Sequence, residues 1–293
     1  MAMKYSAILC TLCGMGENKV NEADVWQNPQ SVLETLAEAG YDGVDVDAEP
    51  DRIDAKKFNE VVEIAFSLGL KVPALIGAWA LWHAGEPRDL ASPDPEARKL
   101  GVRYAKKAID LAANFEDPPI FEIVPCPVEN DYPQTQVPID LLMLNFVETT
   151  REIVDYAGER GVRIAIEPVN RFEAYAGFMN TVDEVMSIVD QVDSPWLGVL
   201  ADCFHINIED TSVNDALLRA GDRLMHIHLA DSTRAAPGTG HIDFKEMLRT
   251  LNGIGFDGYL SYDCVPPRPD WKTSVTHTIG YMKGIEKTMG LLD

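Results

Sequence analysis

The sequence predicts an α/β protein, a (β/α)8 barrel formed by one domain over residues 1–293. Three observations carry that expectation. Eight short β-type runs alternate with eight longer helical patterns, which is the order of parallel βαβ units. Gly40, Gly69 and Gly161 follow helical patterns, where a left-handed residue ends a helix. The chain is 46% hydrophobic over 293 residues, with no low-complexity linker dividing it, enough for one large core. A closed ring is the simplest arrangement of eight parallel strands.

The elements follow in alternation. The first strand is Tyr5–Leu12, followed by helix Pro29–Ala39, which Gly40 closes. Strand Gly43–Asp47 leads to helix Ala55–Leu68, closed by Gly69, and strand Lys71–Ile76 leads to helix Pro95–Asn114. Strand Ile120–Pro125 precedes helix Ile139–Arg160, closed by Gly161, and strand Arg163–Glu167 precedes helix Val182–Val192. The last units are Leu197–Asp202 with Val213–Ala220, Leu224–Ala230 with Phe244–Leu251, and Tyr259–Asp263 with Val275–Met289. The pieces A-E-A-G-Y-D-G-V and L-N-G-I-G-F-D-G-Y each end a helix, turn on Gly and Asp, and start a strand, an internal echo of one βα unit. The irregular stretches Ala78–Pro93 and Pro125–Pro138 each follow a strand and are placed to cover an active site. Trp79 and Trp82 in the first of them suit either stacking on a sugar face or ordinary loop packing.

Charge and composition exclude several classes. Against 25 Lys and Arg stand 47 Asp and Glu, a net of -22. Such a surface repels nucleic-acid phosphates and anionic lipids, so neither partner is expected. No 18-residue apolar run is present and Met1–Tyr5 lacks a signal-peptide pattern, which predicts a cytoplasmic protein without membrane spans. Five cysteines do not read as a disulfide framework. Cys10 and Cys13 form a C-x-x-C, but no second pair accompanies it, and its redox or zinc reading is set aside.

Strand side chains alternate between faces. With the apolar Ile164 and Ile166 turned to the helices, Glu167 points inward at its strand's end. The same count turns Asp202 away from Val199, His226 and His228 away from Ile227 and Leu229, and Asp263 away from Leu260 and Tyr262. Polar side chains thus converge at the C-terminal mouth, where barrels carry their active sites. Glu167, Asp202, His228 and Asp263 form a three-carboxylate, one-imidazole set suited to one Mn²⁺, Mg²⁺ or Co²⁺ ion. Carboxylates packed this closely repel one another, and a divalent ion removes that cost. His226 lies one layer deeper and is expected to be a buried, hydrogen-bonded histidine, while His83, His241 and His277 are expected to be structural or surface residues.

The segments I-E-P-V-N-R-F-E (Ile166–Glu173), D-C-F-H-I-N-I-E (Asp202–Glu209) and H-I-H-L-A-D-S-T-R (His226–Arg234) resemble the ketose 3-epimerases of the tagatose and psicose type, within the xylose-isomerase-like TIM barrel superfamily. The resemblance implies that Glu167 is both a metal ligand and an acid/base, and that Asp202 and His228 are metal ligands. It implies that Glu173, His205 and Arg234 bind substrate hydroxyls or ketose oxygens, and that the protein is a dimer or tetramer. Asp263 stands where the family usually carries Glu as the fourth ligand and second acid/base; Asp is one methylene shorter and reaches less far. The implied reaction inverts C3 of a ketose through an enediolate. The same scaffold also supports aldose–ketose or hydroxypyruvate-type isomerisation, or dehydration. A DNA-repair nuclease of the endonuclease IV kind needs further metal-binding histidines and a basic groove, which six histidines and a net of -22 do not supply. A sugar-binding protein without catalysis is separated from these by an absence of solvent proton exchange.

Overall fold

Strands β1 (Lys4–Ala7), β2 (Val46–Ala48), β3 (Ala74–Gly77), β4 (Ile120–Ile123), β5 (Ile164–Ile166), β6 (Leu197–Asp202), β7 (Leu224–Leu229) and β8 (Tyr259–Tyr262) pair in parallel in the order β1-β8-β7-β6-β5-β4-β3-β2. The outer strands of that order meet as well. Asp45 N–H donates to the Ala7 carbonyl (2.9 Å), Leu9 N–H to the Asp45 carbonyl (3.0 Å) and Gly43 N–H to the Tyr5 carbonyl (3.1 Å). The sheet therefore closes into the expected barrel. This computed structural model describes residues 2–13, 20–77, 79, 88–125, 137–173 and 177–292.

Helices α1 (Leu9–Leu12), α2 (Pro29–Ala39), α3 (Ala55–Ser67), α4 (Pro95–Ala112), α5 (Ile139–Gly158), α6 (Val182–Val192), α7 (Cys203–Glu209), α8 (Val213–Ala220), α9 (Phe244–Ile254) and α10 (Trp271–Met289) connect the strands. Seven of these starts carry side-chain acceptors for the orphan N–H groups of the first turn, and those of α1, α2 and α5 do not. Thr181 and Glu184 make a reciprocal capping box on α6, and Asp54, Asp94, Asp243 and Asp270 cap α3, α4, α9 and α10. Gly40 and Gly255, at the same place in the two echoing segments, end α2 and α9 at φ 96° and 71°, a conformation open to glycine without a Cβ penalty.

The period-2 reading of the strands agrees with the packing. Ile164, Ile166, Val199, Ile227, Leu260 and Tyr262 belong to the large core between sheet and helices. Ala74, Ile120, Ala165 and Leu200 form a separate small apolar cluster. Chain start and final helix are tied together: the buried Glu286 of α10 accepts from Met3 N–H (2.7 Å) and from the Tyr5 hydroxyl (2.8 Å).

Three boundaries differ from expectation. The first strand ends at Ala7, and Leu9–Leu12 turn into a short helix whose Thr11 hydroxyl donates back to the Ile8 carbonyl (3.1 Å). A short apolar run fits a strand or a helical turn equally well by periodicity. Helix α7 occupies a segment where no element was expected. Helix α10 begins at Trp271 rather than Val275, because Asp270 caps it through Thr273 N–H (2.9 Å). Trp79 takes the packing role: it is buried, lies edge-on to Tyr104 (5.2 Å) and donates its indole N–H to the Glu122 carbonyl (3.3 Å). Trp82 and His83, with most of Ala78–Pro93 and Pro125–Pro138, lie outside the described residues.

Candidate active site

The four proposed ligands reach the barrel mouth from successive strand ends. Glu167 follows β5, Asp202 ends β6, His228 lies in β7 and Asp263 follows β8; each is at most 4% exposed. Ligand atoms of Asp202, His228 and Asp263 lie within 4.8 Å of one another. Glu167 shares such spacing with Asp202 and His205, and with His228 and Glu122, but belongs to no such group with Asp263. Asp202 and His228 thus stand between two acids, Glu167 and Asp263.

Local structure sets each orientation. Asp202 is the N-cap of α7: Oδ1 accepts Phe204 N–H (2.7 Å), which leaves Oδ2, buried and without a hydrogen-bond partner, turned to the other acids. One helical turn on, His205 Nε2 lies 3.5 Å from that oxygen, while its Nδ1 lies 2.7 Å from the Asn170 side-chain nitrogen. Asn170 also donates to Glu173 Oε1 (3.3 Å). Arg234 takes a left-handed φ of 57° in the loop after β7, and donates to Glu173 Oε2 (2.6 Å) and Asp263 Oδ2 (3.2 Å). Glu173, His205 and Arg234 therefore form one hydrogen-bonded chain beside the four inner residues. Asp263 Oδ1 is buried and without a hydrogen-bond partner.

The electrostatics suit a cation. Burial first, then the neighbouring Asp263 and Glu167 carboxylates, hold the Asp202 carboxyl well above its usual range. His228 Nδ1 lies 2.9 Å from Glu167 Oε1. Burial disfavours its charged form, but Glu167, Glu122 and Asp263 outweigh burial and push its pKa up to about 10. A divalent ion with donors at about 2.1 Å places neighbouring donors about 3 Å apart, the spacing of this nitrogen and oxygen. Unpartnered oxygens on Asp202 and Asp263, an imidazole between carboxylates and an oxygen-rich donor set all fit a hard divalent ion.

Two buried acids here lacked any assignment from sequence. Glu122 on β4 is 2% exposed, accepts Gly77 N–H (3.0 Å) and neighbours Glu167; burial, then Glu167, keep its carboxyl well above the usual range. Asp45 accepts from or shares a proton with His226 Nε2 (2.8 Å). The signal for each was an acid flanked on both sides by apolar strand residues, I-F-E-I and V-D-V. His226 is buried and hydrogen-bonded as expected, His241 is exposed, and His277 stacks on Tyr281. The C-x-x-C pair is unbridged, with Cys13 donating to the Cys10 carbonyl (3.1 Å).

Glu122, Glu167, His228, Arg234 and Asp263 line one cavity of about 390 Å³ together with Trp26, Asp47, Glu49 and Arg52. Fold and cavity together define the class: a (β/α)8 barrel whose pocket opens at the carboxyl ends of its strands. The family model described as xylose isomerase-like TIM barrel matches residues 33–283, and the chain belongs to that family. A D-psicose 3-epimerase of Ruminiclostridium cellulolyticum is 30% identical over 233 residues, covering 77% of this chain and 74% of that one. An L-ribulose 3-epimerase of Methylomonas sp. is 28% identical over 78% of this chain and 75% of its own. The crystal structure of D-psicose 3-epimerase with D-tagatose from Clostridium cellulolyticum superposes with a TM-score of 0.80 at 22% identity, over 97% of this chain and 99% of the other. The likeness to ketose 3-epimerases read from three segments is thus found along most of the chain. No described helix is long and apolar enough to cross a membrane.

Proposed function

We propose that the whole chain acts as one catalytic domain, an enzyme that inverts C3 of an unphosphorylated ketose with the help of one divalent ion. The placement of Glu167 and Asp263 on either side of the Asp202–His228 pair carries this reading. Glu167, Asp202, His228 and Asp263 would hold Mn²⁺, Mg²⁺ or Co²⁺, which supplies stabilisation of the negative charge that develops on the substrate oxygens. Glu167 takes the C3 proton on one face, giving an enediolate, and Asp263 returns a proton on the other. Arg234, Glu173 and His205 orient the sugar hydroxyls; burial, then Arg234 and His228, hold the His205 pKa well below the usual value, so it remains a neutral donor or acceptor.

One observation favours a second reading. Glu122 adds a carboxyl group on the Glu167 side, whereas Asp263 is short and engaged by Arg234. Carboxyl groups concentrated on one side suit transfer between adjacent carbons, which is aldose–ketose isomerisation. Turnover of a ketopentose and ketohexose panel in D2O separates the two. Epimerisation deposits deuterium at C3 of a ketose product, and isomerisation produces an aldose. Sugar binding with neither C3 epimer nor aldose formed refutes both. The exposed Phe172 and Leu144 supply apolar surface for the expected homo-oligomer, and light scattering that finds only monomer at micromolar concentration refutes it.

A further inference from the structure

Behind His228 lies a group of buried polar residues that the reaction above does not otherwise use. Ser6 on β1, Asp45 before β2, His226 and His228 on β7 and Ser261 on β8 all point into the barrel, because their neighbours Tyr5, Val44, Val46, Ile227, Leu260 and Tyr262 belong to the outer core. The strands hold four of them near one level, with His226 one step deeper: Ser6 is in register with Ser261, Ser261 with His228, His226 with Tyr259, and Asp45 N–H is bonded to Ala7 next to Ser6. All five residues are at most 2% exposed. His226 Nε2 sits 2.8 Å from Asp45 Oδ2, and the His226 and His228 rings meet edge to face at 5.6 Å. Asp45 Oδ1, Ser6 Oγ, Ser261 Oγ and His228 Nε2 are buried without a hydrogen-bond partner within 3.5 Å, while against burial His226 first and then the Ser261 hydroxyl hold the Asp45 carboxyl below its usual range.

We propose that Asp45, anchored by His226, is a positioning residue for His228 and acts on its Nε2–H through one water held among Asp45, Ser6 and Ser261. The inference rests on the metal site proposed above, with His228 facing the ion through Nδ1, the nitrogen beside Glu167. A neutral imidazole that gives its Nδ1 lone pair to a cation carries its proton on Nε2, and a metal-bound histidine regularly donates that proton to a carboxylate, carbonyl or water, which fixes ring orientation and basicity. Ligand atoms of Asp45, His226 and His228 lie within 4.8 Å of one another. A water with two hydrogen bonds of about 2.8 Å at a tetrahedral angle spans about 4.6 Å, which lies inside that limit. The unpartnered atoms of Asp45, Ser6, Ser261 and His228 offer it the two to four partners a buried water takes. A protonated Nε2 is a donor and no ligand, and His226 already faces the Asp45 charge, so the group suits water better than a second cation.

Calorimetric titration of chelator-stripped protein with Mn²⁺ tests this. Wild type is expected to bind one equivalent, and Asp45→Asn to weaken Kd by about 10–100-fold, with His226→Gln shifting it in the same direction. A Cu²⁺-loaded sample adds a readout that mere structural support does not move: pulsed EPR of the remote His228 nitrogen, whose quadrupole coupling reports its hydrogen bond and is expected to change in Asp45→Asn. Should Asp45→Asn not fold, Ser261→Ala removes one water partner and is read by the same two measurements, with a smaller change in Kd and the same change in coupling. Mn²⁺ affinity within twofold of wild type and an unchanged coupling in a folded variant overturn the proposal. So does loss of a second Mn²⁺ equivalent in Asp45→Asn, which makes the group a cation site. Failure of wild type itself to bind Mn²⁺ overturns the metal reading and this inference with it, and the wild-type isotherm tells the two failures apart.

Discussion

Replacing Asp202 with Asn should stabilise the metal-free protein while abolishing its response to metal. The Asn side-chain oxygen can still cap α7 by accepting Phe204 N–H, the bond that Asp202 Oδ1 makes at 2.7 Å. What changes is the carboxylate charge, Asp202 having ligand atoms within 4.8 Å of ones on Asp263, His228 and Glu167. At an effective dielectric of about 20, each such pair is worth about 3.5 kcal/mol. Two repulsive pairs against one attractive pair leave about 3.5 kcal/mol of net repulsion, and Arg234, the next favourable neighbour, reduces it. A gain of about 1–3 kcal/mol follows, or roughly 2–10 °C in Tm for a domain of this size. The pH window follows from the raised Asp202 carboxyl. The unfolded group ionises near pH 3.9, at roughly its reference value, whereas the folded group keeps its proton to higher pH. Metal-free wild type therefore loses stability as pH rises from about 4 through the raised folded value, and Asp202→Asn lacks that loss. Calorimetry on chelated protein at pH 5 and 8, with and without Mn²⁺, is the assay. A lower Tm in the metal-free variant at pH 8, or a Mn²⁺-induced rise equal to that of wild type, would refute the reasoning.

Three further outcomes are expected. Stripping by chelator should abolish activity, and Mn²⁺, Co²⁺ or Mg²⁺ should restore it; full activity in metal-free protein removes the ion from the reaction. With the His228 pKa near 10 in the absence of metal, binding must displace its proton, so apparent Mn²⁺ affinity should rise about tenfold per pH unit from pH 6 to 8, and titration in buffers of different ionisation heat should count at least one proton released. Arg234→Ala should lower kcat/KM about 100-fold, since Arg234 holds both Glu173 and Asp263, with Mn²⁺ content unchanged by elemental analysis; loss of the metal contradicts the assignment. Asp263→Asn should abolish turnover because an amide cannot exchange the proton, while Asp263→Glu should speed epimerisation of common ketoses if reach is the limitation and slow it if the pocket is built around Asp.

Most of the barrel was legible because its signals are local and repeated: alternating strand faces, glycine-ended helices and one polar residue at each of several strand ends. Counting faces was enough to place Glu167, Asp202, His228 and Asp263 inward. The same count applied to I-F-E-I and V-D-V places Glu122 and Asp45 inward too, so those two were readable but lacked a motif to draw attention to them. Other features were not readable. That Leu9–Leu12 coil into a helical turn depends on the tertiary demand that the chain leave the barrel rim there, because the run I-L-C-T-L satisfies either period. Helix α7 was hidden because its cap, Asp202, already served as the end of a strand. The Arg234 bridge between Glu173 and Asp263 joins residues 61 and 29 positions apart, a distance over which no local pattern reports.

The clasp between Glu286 and the first strand has a consequence for how the molecule is made. β1 pairs only with β8 by a full ladder and meets β2 through a few bonds, and the carboxylate that receives Met3 N–H and the Tyr5 hydroxyl is 281 residues or more downstream. The first strand gains this contact only once α10 has formed, and contacts of such long sequence separation form slowly. Joining the start of β1 to the end of α10 by a short linker and reopening the chain at an exposed loop elsewhere makes that contact local, and such a permuted chain should fold faster than the natural order without any change in its final contacts.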